Sequence, residues 1–493
     1  MSILFSVATA DLGSTPRGTG RGDSISEAIA APYKKVLLVA FDFPPRRTGG
    51  VYRPVALTRY LLNHGWQATV LTPAALTLSW WTPASPVSQL DIEDQTLMEK
   101  VPPKVHVLRT GYVNVARWDH KTASTLRNMG ALRPVSLRAG QSLVDRLLRS
   151  LGRWVRSILY FPDPTIGWVP FAVVRAIREY RRQRYDLIYT TSPPRSGCVV
   201  GLSLKWLLRI PWVLEFRDPW FPPPGEAPIA GHEVKPVREK FERWLLALLL
   251  RHADVVVAVT PGHAQELQQA YRLPAHKVAM VRNGFDEEDF RSTHDANRNF
   301  FAPRCVHLSH FGTIYPGFSG SFFSALAELV RESPEVKNRL RIHIFGYPDA
   351  DVTQYASQPE LQDVVQLHSF VKHTDALKAM RSSHFLLLFY AHRYISRACV
   401  PGKIYEYLRS GRPILAITYE GGVQELIEKG NAGFVLRPDD EEAMKQILRT
   451  ILGNAQNDPL PEPPQPEFAA QFRYDRLARN LARILEGVVC NER

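Results

Sequence analysis

Val400-Pro401-Gly402-Lys403-Ile404-Tyr405-Glu406-Tyr407-Leu408-Arg409-Ser410-Gly411 is the stretch that decides the fold. It lies between two apolar runs, Phe385-Leu386-Leu387-Leu388-Phe389 and Pro413-Ile414-Leu415-Ala416-Ile417. An apolar run, a loop, a short helix and a second apolar run make one unit of a parallel α/β sheet. Pro401 and Gly402 stand where the helix begins. Lys403 and Glu406 are three residues apart and share one helix face. A helix start carrying a lysine suits a phosphate. A glutamate one turn deeper suits sugar hydroxyls, whose hydrogen bonds it accepts.

Working outward, the same alternation repeats on both sides. Residues 35–41 read as a strand and end in the loop Phe43-Pro44-Pro45-Arg46-Arg47-Thr48-Gly49-Gly50. A helix over 52–64 follows, stopped by Gly65, and then a strand over 66–71. Adjacent glycines before a helix let backbone approach a ligand, which makes Gly49 and Gly50 a candidate cleft loop. Further strands are expected at 105–109, 186–190, 211–216, 255–259 and 278–282, with helices at 169–184, 197–208 and 236–251. Thr260 is placed to cap the helix after residue 260. Near residue 290 the pattern restarts, with strands at 307–312, 341–346, 364–367, 384–390 and 433–436. Helices are expected at 319–331, 374–381, 440–452 and 472–485. Two consecutive βα-rich halves predict two doubly wound domains with a ligand crevice between them.

A length of 493 residues fits two domains of this kind better than one core. We expect a tail over 1–33, domains over 34–288 and 289–470, and a crossover helix over 471–493. The tail is rich in Ser, Thr, Gly and Ala, and its Gly18-Thr19-Gly20-Arg21-Gly22 has no strand before it, so it reads as disordered and not as a phosphate loop. Residues 221–234 are a Pro-rich loop that could close over a site. The four cysteines form no CxxC pair, so neither a zinc cluster nor a disulfide framework is indicated and a reducing cytoplasm is expected. No apolar run is long enough to span a bilayer. The net charge of +13 comes without a nucleic-acid-binding motif, so no nucleic-acid partner is expected. Within an arginine-rich insertion at about 127–160, residues 143–159 place leucines and Trp154 on one arc and Arg146, Arg149, Arg153 and Arg156 opposite. Such a helix suits an anionic membrane surface, which makes the inner face of a membrane an expected location.

Four stretches together resemble the GT-B glycosyltransferases of the family 4-like, group 1 type. They are Phe43-Pro44-Pro45 through Gly50, Ser192-Pro193-Pro194 through Trp220, Ala253-Asp254-Val255 through Asp286, and Pro401-Gly402-Lys403 through Pro413. The resemblance implies acceptor binding by the first half, a nucleoside-diphosphate sugar in the second, and a last helix that crosses back. It implies transfer to a hydroxyl of a glycan or lipid-linked acceptor, with retention of configuration. It also implies no cofactor and no metal, although Asp349-Ala350-Asp351 matches a metal pattern of other folds. In that family a Glu-x7-Glu pair occupies the opening stretch. The second glutamate matches Glu406, implied to hold the ribose, and the first falls at Ala398. An arginine usual in the loop after the first strand of the second half falls at Phe318.

The candidate donor residues are Lys403, Glu406, Gly402, Arg282, Gly312 and Val371. Asp218 and Arg397 are the candidate catalytic residues, with Glu215 a further group able to orient acceptor hydroxyls and Arg393 a further cation for the diphosphate. His307 and His310, three apart on a strand, point to opposite faces and do not share an ion. His373 reads as a helix cap or surface group. Ala398 and Phe318 favour an alternative, a catalytically silent GT-B protein that binds glycan or protein. An epimerase acting on the sugar nucleotide is a third reading.

Overall fold

The computed structural model describes residues 33–74, 93–113, 160–220, 236–291, 293, 300–301, 305–369, 371–457 and 464–491. The expected tail, the 143–159 helix and the 221–234 loop lie outside the described residues.

In the first half the order is β1 (Lys34–Val39), α1 (Tyr52–Leu61), β2 (Trp66–Pro73), α2 (Thr96–Glu99), β3 (His106–Thr110), α3 (Val169–Arg182), β4 (Leu187–Ser192), α4 (Ser196–Leu208), β5 (Trp212–Phe216), α5 (Pro236–His252), β6 (Val255–Ala258), α6 (Pro261–Gln269) and β7 (Val278–Met280). Its sheet is parallel, with seven strands ordered β3-β2-β1-β4-β5-β6-β7. A short helix, α7 (Glu287–Arg291), leads into the second half. There β8 (Val306–Phe311), α8 (Gly320–Glu332), α9 (Val336–Arg339), β9 (Leu340–Phe345), α10 (Ala350–Ala356), β10 (Val365–His368), α11 (His373–Ser382), β11 (Phe385–Tyr390), α12 (Arg393–Ala398), α13 (Lys403–Ser410), β12 (Ile414–Thr418), α14 (Gly422–Lys429), β13 (Gly433–Leu436) and α15 (Glu441–Asn457) build a second parallel sheet. Its six strands are ordered β10-β9-β8-β11-β12-β13. The chain closes with α16 (Pro466–Ala470) and α17 (Tyr474–Asn491).

The central strands are largely apolar because both faces of each sheet are covered, as in β1 (KKVLLV) and β11 (FLLLFY). In β1, Val36 and Leu38 pack toward α1 and α17, while Leu37 and Val39 pack toward α3, α4 and α5. Tyr474, Leu477, Leu481, Leu485 and Val488 recur at helical spacing and form the buried stripe of α17. That stripe lies on the core of the first half, so the last helix crosses back from the second half.

Strand order fixes where a ligand can sit. In each sheet the order reverses, between β1 and β4 in the first and between β8 and β11 in the second. Parallel sheets bind ligands beyond the carboxyl ends of the strands at such a reversal. The loops there are 40–51, 193–195, 312–319 and 391–402, and they hold Gly49, Gly50, Gly312, Arg397 and Gly402, with Lys403 directly after the last.

One buried ion pair braces the first of these loops. Arg53 of α1 is 3% exposed and donates from Nε to Glu215 Oε1 at 2.9 Å. It also donates to the carbonyls of Val281 (2.9 Å) and Arg282 (2.5 Å). Glu215 is fully buried and accepts in addition from Tyr189 and from Thr191 at 2.7 Å. Arg53 holds this carboxyl below its ordinary value despite burial, so the pair stays charged. Glu215 therefore does not orient acceptor hydroxyls: its oxygens are spent inside the protein. The same contact ends β7 at Met280, short of the expected residue 282, because Arg53 takes the carbonyls of Val281 and Arg282.

Candidate active site

Lys403 opens α13, and Gly402 stands at its N-cap without a side-chain cap. The ammonium lies 3.1 Å from His310 Nε2 and 3.4 Å from the Thr313 carbonyl. His310 Nδ1 faces the Leu387 carbonyl at 3.0 Å. A carbonyl only accepts, so Nδ1 carries the proton and Nε2 accepts from Lys403. Burial, reinforced by the lysine charge, holds His310 well below its ordinary pKa and keeps it neutral. Lys403 is partly open to solvent, yet it is hemmed in by protein. The lost hydration pulls it down to about 7, against an opposing pull from Glu406.

Gly312 makes this arrangement fit. Its φ of +96° is in the left-handed region, and a Cβ there would come within 3.2 Å of Lys403 Nζ. Behind it, the Tyr407 hydroxyl accepts the Phe311 N–H at 3.0 Å, which ties α13 to the end of β8. The lysine thus points from α13 toward the loop after β8.

Glu406 points to a different neighbour. Its Oε1 lies 2.9 Å from His373 Nε2, at the start of α11. His373 Nδ1 in turn lies 3.7 Å from Asp289 Oδ2, and Lys100 meets Asp289 at 2.6 Å. Burial alone would lower the His373 pKa, but Glu406 and then Asp289 outweigh it and hold the imidazole above its ordinary value. Tyr52 of α1 packs on the His373 ring with centroids 4.8 Å apart. His373 is therefore no surface group. It joins Glu406 to a charged cluster at the junction of the two halves, beside a small cavity lined by Tyr52, Lys100, Asp289, Glu406 and Tyr474.

The loop after β1 faces the second half. Arg47 donates to the Val371 carbonyl at 3.4 Å, so Val371 meets this loop through its backbone. Gly49 is exposed with open space around it. Gly50 is pressed close: a Cβ there would lie 2.6 Å from both Arg217 Nη1 and Asp42 Oδ2. Arg217 donates to the carbonyls of Gly50 (2.6 Å) and Pro193 (2.5 Å), binding the two first-half loops together. Asp218, next in sequence, is exposed on the cleft wall. The protein around it limits hydration and raises its carboxyl above the ordinary value, with Arg217 opposing. Its charge acts on Tyr315, Tyr390 and Cys399 of the second half, so it faces across the cleft.

Arg282 lies beside Tyr405 of α13, one residue from Glu406. Arg397 is exposed near the end of α12, whose backbone is held against the first half. There the Thr260 hydroxyl donates to the Ala398 carbonyl at 2.6 Å, and a Cβ on Gly262 would strike the Arg397 carbonyl at 2.2 Å. Ala398 is 4% exposed and packs with Tyr394 and Cys399. Phe318 is 8% exposed and sits in the second-half core, its ring edge-on to Tyr390. Arg393 is exposed, lies over the Tyr419 ring and is 3.8 Å from Asp439. Asp349 caps α10 by accepting the Val352 N–H at 2.9 Å.

His310 and His373 escape a reading of motifs. Their partners lie 93 and 33 residues away.

Comparison with known proteins follows the same division. Residues 133–289 match the family model described as Glycosyltransferase Family 4, and residues 315–454 match that described as Glycosyl transferases group 1. A curated relative from Streptomyces scabiei, named D-inositol 3-phosphate glycosyltransferase, is 24% identical over 212 residues, covering 41% of this chain and 46% of the relative. The chain thus spans about half the length of the curated relatives it first matches. A relative of the same name from Corynebacterium urealyticum is 21% identical over 400 residues, covering 74% of this chain and 89% of its own. Among solved structures, a glycosyltransferase from Rickettsia africae superimposes with a TM-score of 0.56 at 13% identity, over 93% of this chain and 99% of that one. Anabaena HepE, solved with UDP and glucose, gives 0.56 at 16% identity, over 92% of this chain and 100% of that one. The order of the two sheets, the crossover helix and both family matches agree: the chain belongs to the family 4-like, group 1 glycosyltransferases of the GT-B fold.

Proposed function

We propose that the protein moves a sugar from a nucleoside-diphosphate sugar to a hydroxyl of a glycan or lipid-linked acceptor, with retention of configuration. The observation that carries this reading is Lys403, held by His310 and the Thr313 carbonyl at the strand-order reversal of the second sheet. In this reading Lys403 and the start of α13 at Gly402 meet the diphosphate, Glu406 accepts from the ribose, and Gly312 and Val371 line the donor pocket. Arg282 adds charge beside α13. Gly49 and Gly50 close the cleft from the first half, and Asp218 and Arg397 flank the acceptor.

The chemistry needs little from side chains. The bond between the anomeric carbon and the phosphate oxygen breaks, and the electrons stay on the diphosphate. The acceptor oxygen bonds to the same face of the sugar, and its proton passes to the departing phosphate. Lys403 stabilises the charge that grows on that phosphate. Metal independence is part of the proposal, so transfer should persist in a chelator.

The names of relatives suggest what to try first. HepE was solved with UDP and glucose, so UDP-glucose is the first donor. Inositol phosphate is a first acceptor, after the curated relatives. A donor screen by thermal shift, followed by assays of hydrolysis and transfer, tests the reading. Transfer of a sugar supports it, and binding without turnover would replace it by the silent reading. The buried Ala398 and Phe318, where the family carries charged groups, are what favour that second reading.

A further inference from the structure

Among the described residues, thirteen large apolar side chains are exposed, and seven of them lie on α3, α4 and α5. These helices cover the face of the first sheet opposite α1 and α17. On α5, Val237, Phe241 and Trp244 are 69%, 59% and 61% exposed. They recur at four and three residues and so form one stripe. Trp206 and Leu207, 51% and 60% exposed, extend the patch from α4. The Trp206 indole meets His252, the last residue of α5, with ring centroids 5.3 Å apart. Phe171 and Val174 continue it on α3.

The charges on these helices are one-sided. The single carboxylate of α3, Glu179, is buried near His106, Arg175 and Arg182. α4 has no acid. On α5, Glu242 is fully buried against Arg195 and Arg238, and the half-exposed Glu239 is bridged to Arg243. The cations instead face outward: Arg178, Arg181 and Arg182 on α3, Arg209 after α4, and Lys240 and Arg251 on α5 are all exposed. Lys240 and Arg251 lie on the same side of α5 as Phe241 and Trp244.

We propose that this outer face of α3, α4 and α5 docks on an anionic lipid bilayer. Tryptophan and phenylalanine among cations, with no fully exposed acid, is the chemistry that sits between acyl chains and phosphate headgroups. A second copy of the same face would set cation against cation, whereas phosphates neutralise them. None of these residues is among the candidate nucleotide-site residues.

The test uses the full chain and co-sedimentation with vesicles of phosphatidylcholine, with or without phosphatidylglycerol. Two double variants are compared, Phe241→Ser with Trp244→Ser, and Lys240→Glu with Arg251→Glu. All four side chains are exposed, so the fold should survive, and unchanged nucleotide affinity checks it. The wild type should bind only the vesicles with phosphatidylglycerol, and high salt should release it. Each double variant should bind roughly tenfold more weakly or worse. Three results overturn the proposal. The wild type could fail to sediment. Both variants could bind like the wild type, which would put attachment elsewhere in the chain. Or the wild type could be a dimer that the apolar variant dissolves, which would make the face a contact between copies.

Discussion

With Lys403 on the diphosphate, as proposed, donor affinity should depend on pH in a direction the site dictates. Its pKa is about 7, well below that of a free lysine, because protein replaces water around it. A nucleotide sugar carries its two charges as phosphate diesters, which do not titrate near neutrality. The ligand therefore needs the charged lysine, and binding must supply the proton when pH exceeds 7. Affinity should be nearly constant below that pH and weaken above it. If only charged Lys403 contributes, the loss is roughly tenfold by pH 8 and about a hundredfold by pH 9, or about 1.4 kcal/mol per unit. The hydrogen bond to a charged group sets a ceiling of about 1.5–3 kcal/mol, roughly 10- to 150-fold. His310 stays neutral across this range. His373, held above its ordinary value by Glu406 and Asp289, is a second titratable group beside the site and needs its own control. Calorimetric titrations from pH 6 to 9 with wild type, Lys403→Gln and His373→Gln separate the two. Lys403→Gln should be weak and flat, while His373→Gln should keep the slope. A flat wild-type profile, or a slope that survives in Lys403→Gln, would refute the reasoning.

Other residues carry predictions of their own. Glu406→Ala should weaken nucleotide affinity by roughly 1–3 kcal/mol through lost charged hydrogen bonds, and unchanged affinity in a folded variant removes Glu406 from the site. Arg53→Met leaves Glu215 buried without its cation and should cost about 3–5 kcal/mol in denaturant titration. Adding Glu215→Leu should recover part of that loss, and a neutral single variant would show the pair to be unimportant. Acid should destabilise the second half through a row of histidines. His343 stacks on His307 and His368, and burial first, then these neighbours, push it down to about 3; burial likewise pushes His384 down to about 4. Each binds a proton when unfolded below about pH 6.5 but not when folded, so stability falls with pH across that window by about 1.4 kcal/mol per unit for each. Melting temperature should drop steadily from pH 6.5 to 4.5, and a constant value contradicts the assignment.

Much of this fold was legible because buried parallel strands are nearly pure apolar runs. Val36-Leu37-Leu38-Val39 and Leu386-Leu387-Leu388-Phe389 admit few other readings. Residue type alone makes Thr260 a cap, and its hydroxyl accepts the His263 N–H. Short helices were not legible. The helix Ala350–Ala356 follows the Asp349 that caps it, where the acidic pair drew attention to metal instead. The helix Arg393–Ala398 is too brief to show a period. The partners of charged groups were hidden for a different reason. Glu215 reads as polar at a strand end, and nothing local says that Arg53 lies against it. The Lys403–His310 and Glu406–His373 contacts likewise exist only once two segments meet in space.

In the proposed function, the cleft between the sheets holds a nucleoside-diphosphate sugar on α13. Calorimetric titration of the full chain with UDP-, GDP- and ADP-sugars, repeated on Lys403→Gln and Glu406→Ala, tests it most directly. At least one of these donors should show saturable one-to-one binding, weakened in both variants. Absence of saturable heat with all of them, or binding that both variants retain in full, would contradict it.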